Sequence, residues 1–156
     1  SIDRVRWGGV RSSSGARFTI AYGAGTSETV IILKDEKIFD AFVAKLWKAV
    51  GVRMVMERVE DFRAGKEAQF PECVIRDEGI SLRRKVLFMR GAEKRLSWRD
   101  IETASVNGDF IIAAKGDSTI RAQLSFRDDW NIHILAGMLT FAQSRPGISR
   151  LSDIFG

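Results

Sequence analysis

Cysteine and histidine are almost absent. Cys73 is the one cysteine among 156 residues, so no disulfide can form within the chain. His133 is the one histidine, and no Cys or His cluster has the spacing of a metal site. No apolar run approaches the ~18 residues of a membrane-spanning helix. The first residues lack the apolar core of a signal peptide. These absences suit a reducing compartment or a cytoplasmic face. The expected location is cytoplasmic, with peripheral attachment to the inner face of a membrane left open. The first residue is Ser rather than Met, which fits a processed chain or an excised fragment.

Catalytic constellations are missing as well. His133 sits between Ile132 and Ile134 with no Ser, Asp or Cys motif around it, and a general base needs partners in reach. Cys73 opens an apolar strand without an activating base, so it reads as a small buried hydrophobe. Gly23-Ala24-Gly25 joins two strands rather than a strand and a helix, so it reads as a hairpin turn and not a phosphate loop. No paired carboxylates are evident. The expectation is a non-enzymatic chain with no cofactor and no metal.

What is present begins with apolar content. At 45% hydrophobic residues the chain can bury a core, as one large domain or two small ones. The net charge of +5 is local rather than general. Between Gly79 and Arg99 there are seven basic residues against one acid, Glu93. Beyond Ile101 the acids slightly outnumber the bases. A local excess bears on partners more than the overall charge does.

Periodicity divides the rest. Residues 4–7 and 10–12 read as short strands. Phe18, Ile20 and Tyr22 alternate with polar or small neighbours, and Thr29–Leu33 completes a hairpin across Gly23–Gly25. Asp35 is a plausible N-cap. Ile38, Phe39, Phe42, Val43, Leu46 and Trp47 follow at helical spacing. The helical period continues past Gly51 to Phe62, and Ala64-Gly65-Lys66 reads as its stop. Glu72–Asp77 and Ile80–Phe88 read as strands. Gly91-Ala92 reads as a turn, followed by strands at Lys94–Trp98 and Ile101–Val106. Asn107-Gly108-Asp109 is a strong hairpin signal. Phe110–Ala114 and Thr119–Phe126 pair across a second turn. Asp128 or Asp129 should cap a last helix that runs to about Ala142, before Arg145-Pro146-Gly147 breaks it.

One pattern occurs twice. Trp7 matches Trp98, Gly23 matches Gly116, and Leu33 matches Phe126. Lys34-Asp35 matches Arg127-Asp128, and Phe39, Phe42 and Leu46 match Ile132, Leu135 and Leu139. A period this long argues for duplicated domains rather than a solenoid, whose repeats span ~20–50 residues. Trp7 and Trp98 each read as a core or barrel-mouth aromatic.

A sequential antiparallel sheet closed by one amphipathic helix resembles the pleckstrin-homology-like plan. The second copy is similar to the bacterial version in E-G-I-S-L at Glu78–Leu82, L-S-W-R-D-I at Leu96–Ile101 and N-G-D-F-I-I-A at Asn107–Ala113. The joining F-R-A-G-K at Phe62–Lys66 is similar to that of bacterial tandem pleckstrin-homology-like proteins, many of them membrane-associated. The resemblance implies an α+β, mainly β fold: tandem antiparallel sheets or partial barrels, each closed by a C-terminal helix and joined by a helical connector. It divides the chain into an incomplete repeat with connector at 1–65, a fuller repeat at 66–144 and a tail at 145–156. The first repeat starts at the equivalent of the middle strands, which leaves a sheet edge to be covered. Upstream sequence, another chain or the tail 148–155 are the candidates to cover it.

The resemblance implies a binding or scaffolding module, since fold alone does not fix function. The candidate surface for an anionic ligand or partner is Arg83, Arg84, Lys85, Arg90, Lys94 and Arg95. Arg83 and Lys85 should share one strand face and Arg84 the other. Arg90, Lys94 and Arg95 should flank a turn. The bland reading of this cluster is a solvated basic face. The expected role is a protein-binding adaptor at or near a membrane surface. Anionic lipid is a second ligand, and a second copy of the chain could pair through the open edge of the first repeat. A nucleic-acid-binding basic domain is the alternative. It is disfavoured because the early strands lack the interleaved exposed aromatics of single-strand binders.

Overall fold

The computed structural model describes every residue except Phe88, and every side chain except those of Phe88 and Arg90. The architecture is α+β and mainly β. Strand β1 (Arg4–Ser12) is one continuous element rather than two short ones, and it pairs along its whole length with β2 (Gly15–Ala24). β2 then pairs with β3 (Ser27–Leu33), giving a three-stranded antiparallel sheet. The alternation of β2 buries Phe18 and Ile20 on the inner face, with Val5 and Trp7 beside them on β1. The β2–β3 turn falls at Gly25-Thr26, at the far end of the expected Gly23–Gly25 turn, and Gly23 stays within the strand.

Asp35 caps the next helix as expected. Its Oδ1 accepts from the amides of Lys37 at 2.9 Å and Ile38 at 3.1 Å. The chain is then helical from Glu36 to Arg63, as α1 (Glu36–Leu46), a π turn (Trp47–Gly51) and α2 (Val52–Arg63). The π turn brings Trp47 against Gly51. A β-carbon on Gly51 would lie 2.5 Å from the Trp47 ring, so the indole rests directly on the backbone there. The same ring reaches Gly137 of the last helix and meets Trp7 edge-on at 6.4 Å.

The second sheet is a curled antiparallel half-barrel of seven strands. Its members are β4 (Ala68–Phe70), β5 (Cys73–Ile75), β6 (Gly79–Val86), β7 (Met89–Ser97), β8 (Ile101–Val106), β9 (Asp109–Ala114) and β10 (Asp117–Ser125). The order is β4-β5-β6-β10-β9-β8, with β7 along the other edge of β6. The strand expected over Ile80–Phe88 is described to Val86, and Phe88 itself lies outside the described residues. The turn expected at Gly91-Ala92 is absent, because both residues lie within β7. Gly91 instead fits a close approach. A β-carbon there would sit 2.5 Å from the Arg84 carbonyl oxygen, beside a register shift between Arg83 and Lys85. This is the signature of a bulge. Asn107-Gly108 does form the β8–β9 turn, both residues with positive φ, as a type I′ hairpin requires.

The last helix, α3 (Ile132–Ser144), starts later than expected. Neither Asp128 nor Asp129 caps it. Asp129 accepts from the Ser125 amide at 2.7 Å, and Asp128 pairs with Arg127. The cap position is Asn131, in the left-handed region. Asn131 is held elsewhere: its amide donates to the Val5 carbonyl at 2.8 Å, and its Oδ1 accepts from the Val5 amide at 2.9 Å. It thus imitates a strand partner and ties the edge of β1 to the start of α3.

Leu46, Ile132, Leu135 and Leu139 are buried as expected of covering helices. Phe39 and Phe42 are only half-buried, because α1 lies over a sheet of just three strands. Phe39 stacks on Phe18 at 4.8 Å. The tail does not cover the first sheet. It forms a 3₁₀ turn (Leu151–Asp153) that buries Leu151 and Ile154 against the core. Asp77 holds that turn by accepting from the Leu151 amide at its carbonyl and from the Ser152 amide and hydroxyl at its carboxylate. Among the described residues β3 has no strand partner on its outer edge.

Candidate functional site

Strand β8 ends the half-barrel, so one of its edges carries no partner. Its pairing with β9 fixes which groups are free. Val106 and Asp109 flank the two-residue turn, and the Lys115 amide bonds the Asp100 carbonyl at 2.9 Å. The hydrogen-bonded pairs are therefore those of residues 102, 104 and 106. The amides and carbonyls of Thr103 and Ser105 point to the open edge, while Ile101, directly after the 3₁₀ turn at Trp98–Asp100, is buried. Beside that edge runs the C-terminal half of α3. Between them lies a cleft of about 410 Å³.

The floor of the cleft is apolar: Trp98, Ile101, Leu139, Ala142 and Ile148. Its rim carries Arg99, Lys115 and Arg145 against Glu102. Among the described residues neither Arg99 nor Lys115 forms an ion pair. Arg145 is fixed at one end, donating to the Ile154 carbonyl at 2.6 Å with its guanidinium over the Phe141 ring. Thr103 donates to Gln143 Oε1 at 2.9 Å, which joins strand and helix across the cleft. Trp98 sits in a 3₁₀ turn with its indole N–H on the Asp77 carbonyl at 2.7 Å. Trp7 is mid-strand, so the two tryptophans are both buried but not equivalent in local structure.

The six basic residues singled out in the sequence all belong to the β6–β7 hairpin. Arg83 faces Glu93 at 3.9 Å. Arg84 pairs with Asp117 at 3.1 Å and donates to the Thr119 hydroxyl at 2.9 Å. Hydrogen bonds from the Thr119 hydroxyl and amide, then the Arg84 guanidinium, hold the Asp117 carboxyl below its ordinary range. Lys85 pairs with Glu72. Lys94 and Arg95 are exposed on β7, with no ion pair among the described residues. They lie within the strand and do not flank a turn. The Arg90 side chain lies outside the described residues, and its backbone sits opposite Lys85.

His133 and Cys73 are placed by packing. The His133 ring lies between Trp7, stacked at 3.9 Å, and Phe126 at 4.5 Å. Its Nε2 is 2.8 Å from the Trp7 carbonyl, which fixes the proton on that nitrogen as a donor. Burial pushes its pKa down to about 4, so the ring is neutral at pH 7. Burial, with the Glu72 charge nearby, pushes the Cys73 thiol up to about 12. A protonated thiol at neutral pH is a poor nucleophile. Among the described residues no group of three or more His, Cys, Asp or Glu side chains is placed to hold a metal ion. No helix among them is long and apolar enough to cross a membrane. No family model matches the chain, and neither a curated protein nor a solved structure matches it.

Proposed function

We propose that this chain is a non-enzymatic, pleckstrin-homology-like binding module that receives an extended acidic peptide along the β8 edge and works at or near a membrane surface. The observation that carries the reading is the coincidence of an open strand edge, an apolar-floored cleft and a rim with three cations against Glu102. An added strand would satisfy the outward groups of residues 103 and 105, giving affinity from the main chain. Alternate side chains of the peptide would enter the cleft, giving specificity. Acidic residues flanking them would meet Arg99, Lys115 and Arg145. The tandem character rests on the shared order of three strands and a helix in β1–β3–α1 and β8–β10–α3.

The direct test is a peptide selected from a random library on the full chain, followed by calorimetric titration of variants. Thr103→Pro removes an amide that points only to the open edge, a place where edge strands tolerate proline. It should weaken peptide binding at least tenfold while the fold persists. Thr103→Val removes the hydroxyl but keeps the amide, and should bind as wild type. Selected peptides that bind Thr103→Pro undiminished would overturn the reading.

A further inference from the structure

The β6–β7 hairpin carries apolar residues where a turn normally carries polar ones or glycine. Leu87 is 84% exposed and Met89 75%, against at most 57% for any other large apolar residue among those described. Val86 is also exposed. Exposed apolar side chains scattered singly need no explanation, but a cluster at one projecting point marks an interaction site.

We infer that this tip inserts into the interface of an anionic lipid bilayer: Val86, Leu87 and Met89 enter the acyl boundary while the basic side chains behind them meet lipid phosphates. The inference rests on the membrane part of the reading above and is independent of the peptide cleft. Geometry supports it first. β6 makes its last pairing outside the hairpin at Arg84, opposite Ile120. Beyond that point β6 and β7 pair only with each other, with Val86 and Met89 bordering a groove against the β4–β5 turn and Leu87 at the outermost described position. At about 3.3 Å per residue, Leu87 lies ~10 Å further out. That reach matches the ~5–10 Å by which interfacial elements enter the headgroup boundary. The register shift between Arg83 and Lys85 marks where the hairpin leaves the pairing of the larger sheet.

Charge supports it second, and it also selects the mode. The hairpin holds six cations and Glu93, and Glu72 and Asp117 reach in from neighbouring strands. The excess is therefore three, enough to orient the tip toward an anionic surface. Attraction of that size alone would be screened away within ~8–10 Å at physiological ionic strength. The apolar tip makes the attachment persist.

The test uses the full chain with vesicles of phosphatidylcholine, alone or mixed with phosphatidylserine. Wild type should sediment with the mixed vesicles, weaken as salt rises, and keep a residual binding at high salt. Leu87→Ser combined with Met89→Ser should reduce binding roughly tenfold or more and remove the salt-resistant part. Its circular dichroism and peptide affinity should be unchanged, since both side chains are at an exposed tip. Lys94→Ser with Arg95→Ser should reduce binding at low salt only. Leu87→Trp should give blue-shifted emission quenched by lipids brominated on the acyl chain. A double serine variant that binds like wild type, with binding abolished by salt, would overturn insertion and leave simple surface proximity. Absence of vesicle binding at any salt would overturn both, whatever the peptide result.

Discussion

His133 joins the two sheets through three contacts of different kinds. It stacks on Trp7 from the first sheet, stacks on Phe126 at the end of β10, and donates to the Trp7 carbonyl. A charged imidazolium would lose solvation in this sandwich, and that is why the ring stays neutral. The consequence for stability has a definite sign. The folded pKa, about 4, lies below the ordinary 6.5. The unfolded chain therefore takes up a proton between those values that the folded chain refuses. Stability from this group is full above pH 6.5 and falls as pH drops toward 4, by about 3 kcal/mol in all. Urea denaturation at pH 7, 5.5 and 4.5 should show this loss. His133→Gln should be less stable at pH 7 but flatter over the same window. A variant with the same slope as wild type would place the proton uptake elsewhere.

At the level of elements, the helices bear unequal shares of the packing. α3 buries Ile132, Ile134, Leu135, Met138 and Leu139 against the half-barrel and α2. α1 half-buries its phenylalanines on the smaller sheet. Leu135→Ala should cost about 2–5 kcal/mol in chemical denaturation, and Phe42→Ala should cost distinctly less. Equal losses would mean that α1 is as deeply packed as α3. The same elements show what the sequence makes legible. Asp35 as a cap and Asn107-Gly108 as a turn act through their own backbone, so local sequence sufficed. Gly91-Ala92 misled because a glycine that admits the Arg84 carbonyl looks, in sequence, like one that turns the chain. Asp128 and Asp129 misled because the start of α3 is set by the pairing of Asn131 with Val5, which is 126 residues away. The basic run was visible, but its acids were not. Glu72 and Asp117 come from other strands. The cleft was invisible for the same reason, since Trp98, Lys115 and Arg145 converge only once β8 and α3 lie side by side.

In the whole molecule the two proposed surfaces lie in separate parts of the fold. The proposed peptide edge is formed by β8 and α3, and the proposed membrane tip by β6 and β7. One connected core runs from Val5 through Trp98 to Ile154. If β8 accepts a strand, backbone hydrogen exchange will report it amide by amide. In the free chain the amides of Thr103 and Ser105 should exchange quickly, while those of residues 102, 104 and 106 are protected by β9. Adding the selected acidic peptide should slow Thr103 and Ser105 together and leave β3 and β7 unchanged. Protection that appears on β3 or β7 instead, with the Thr103 and Ser105 amides still exchanging fast, would mean that no strand is added at β8.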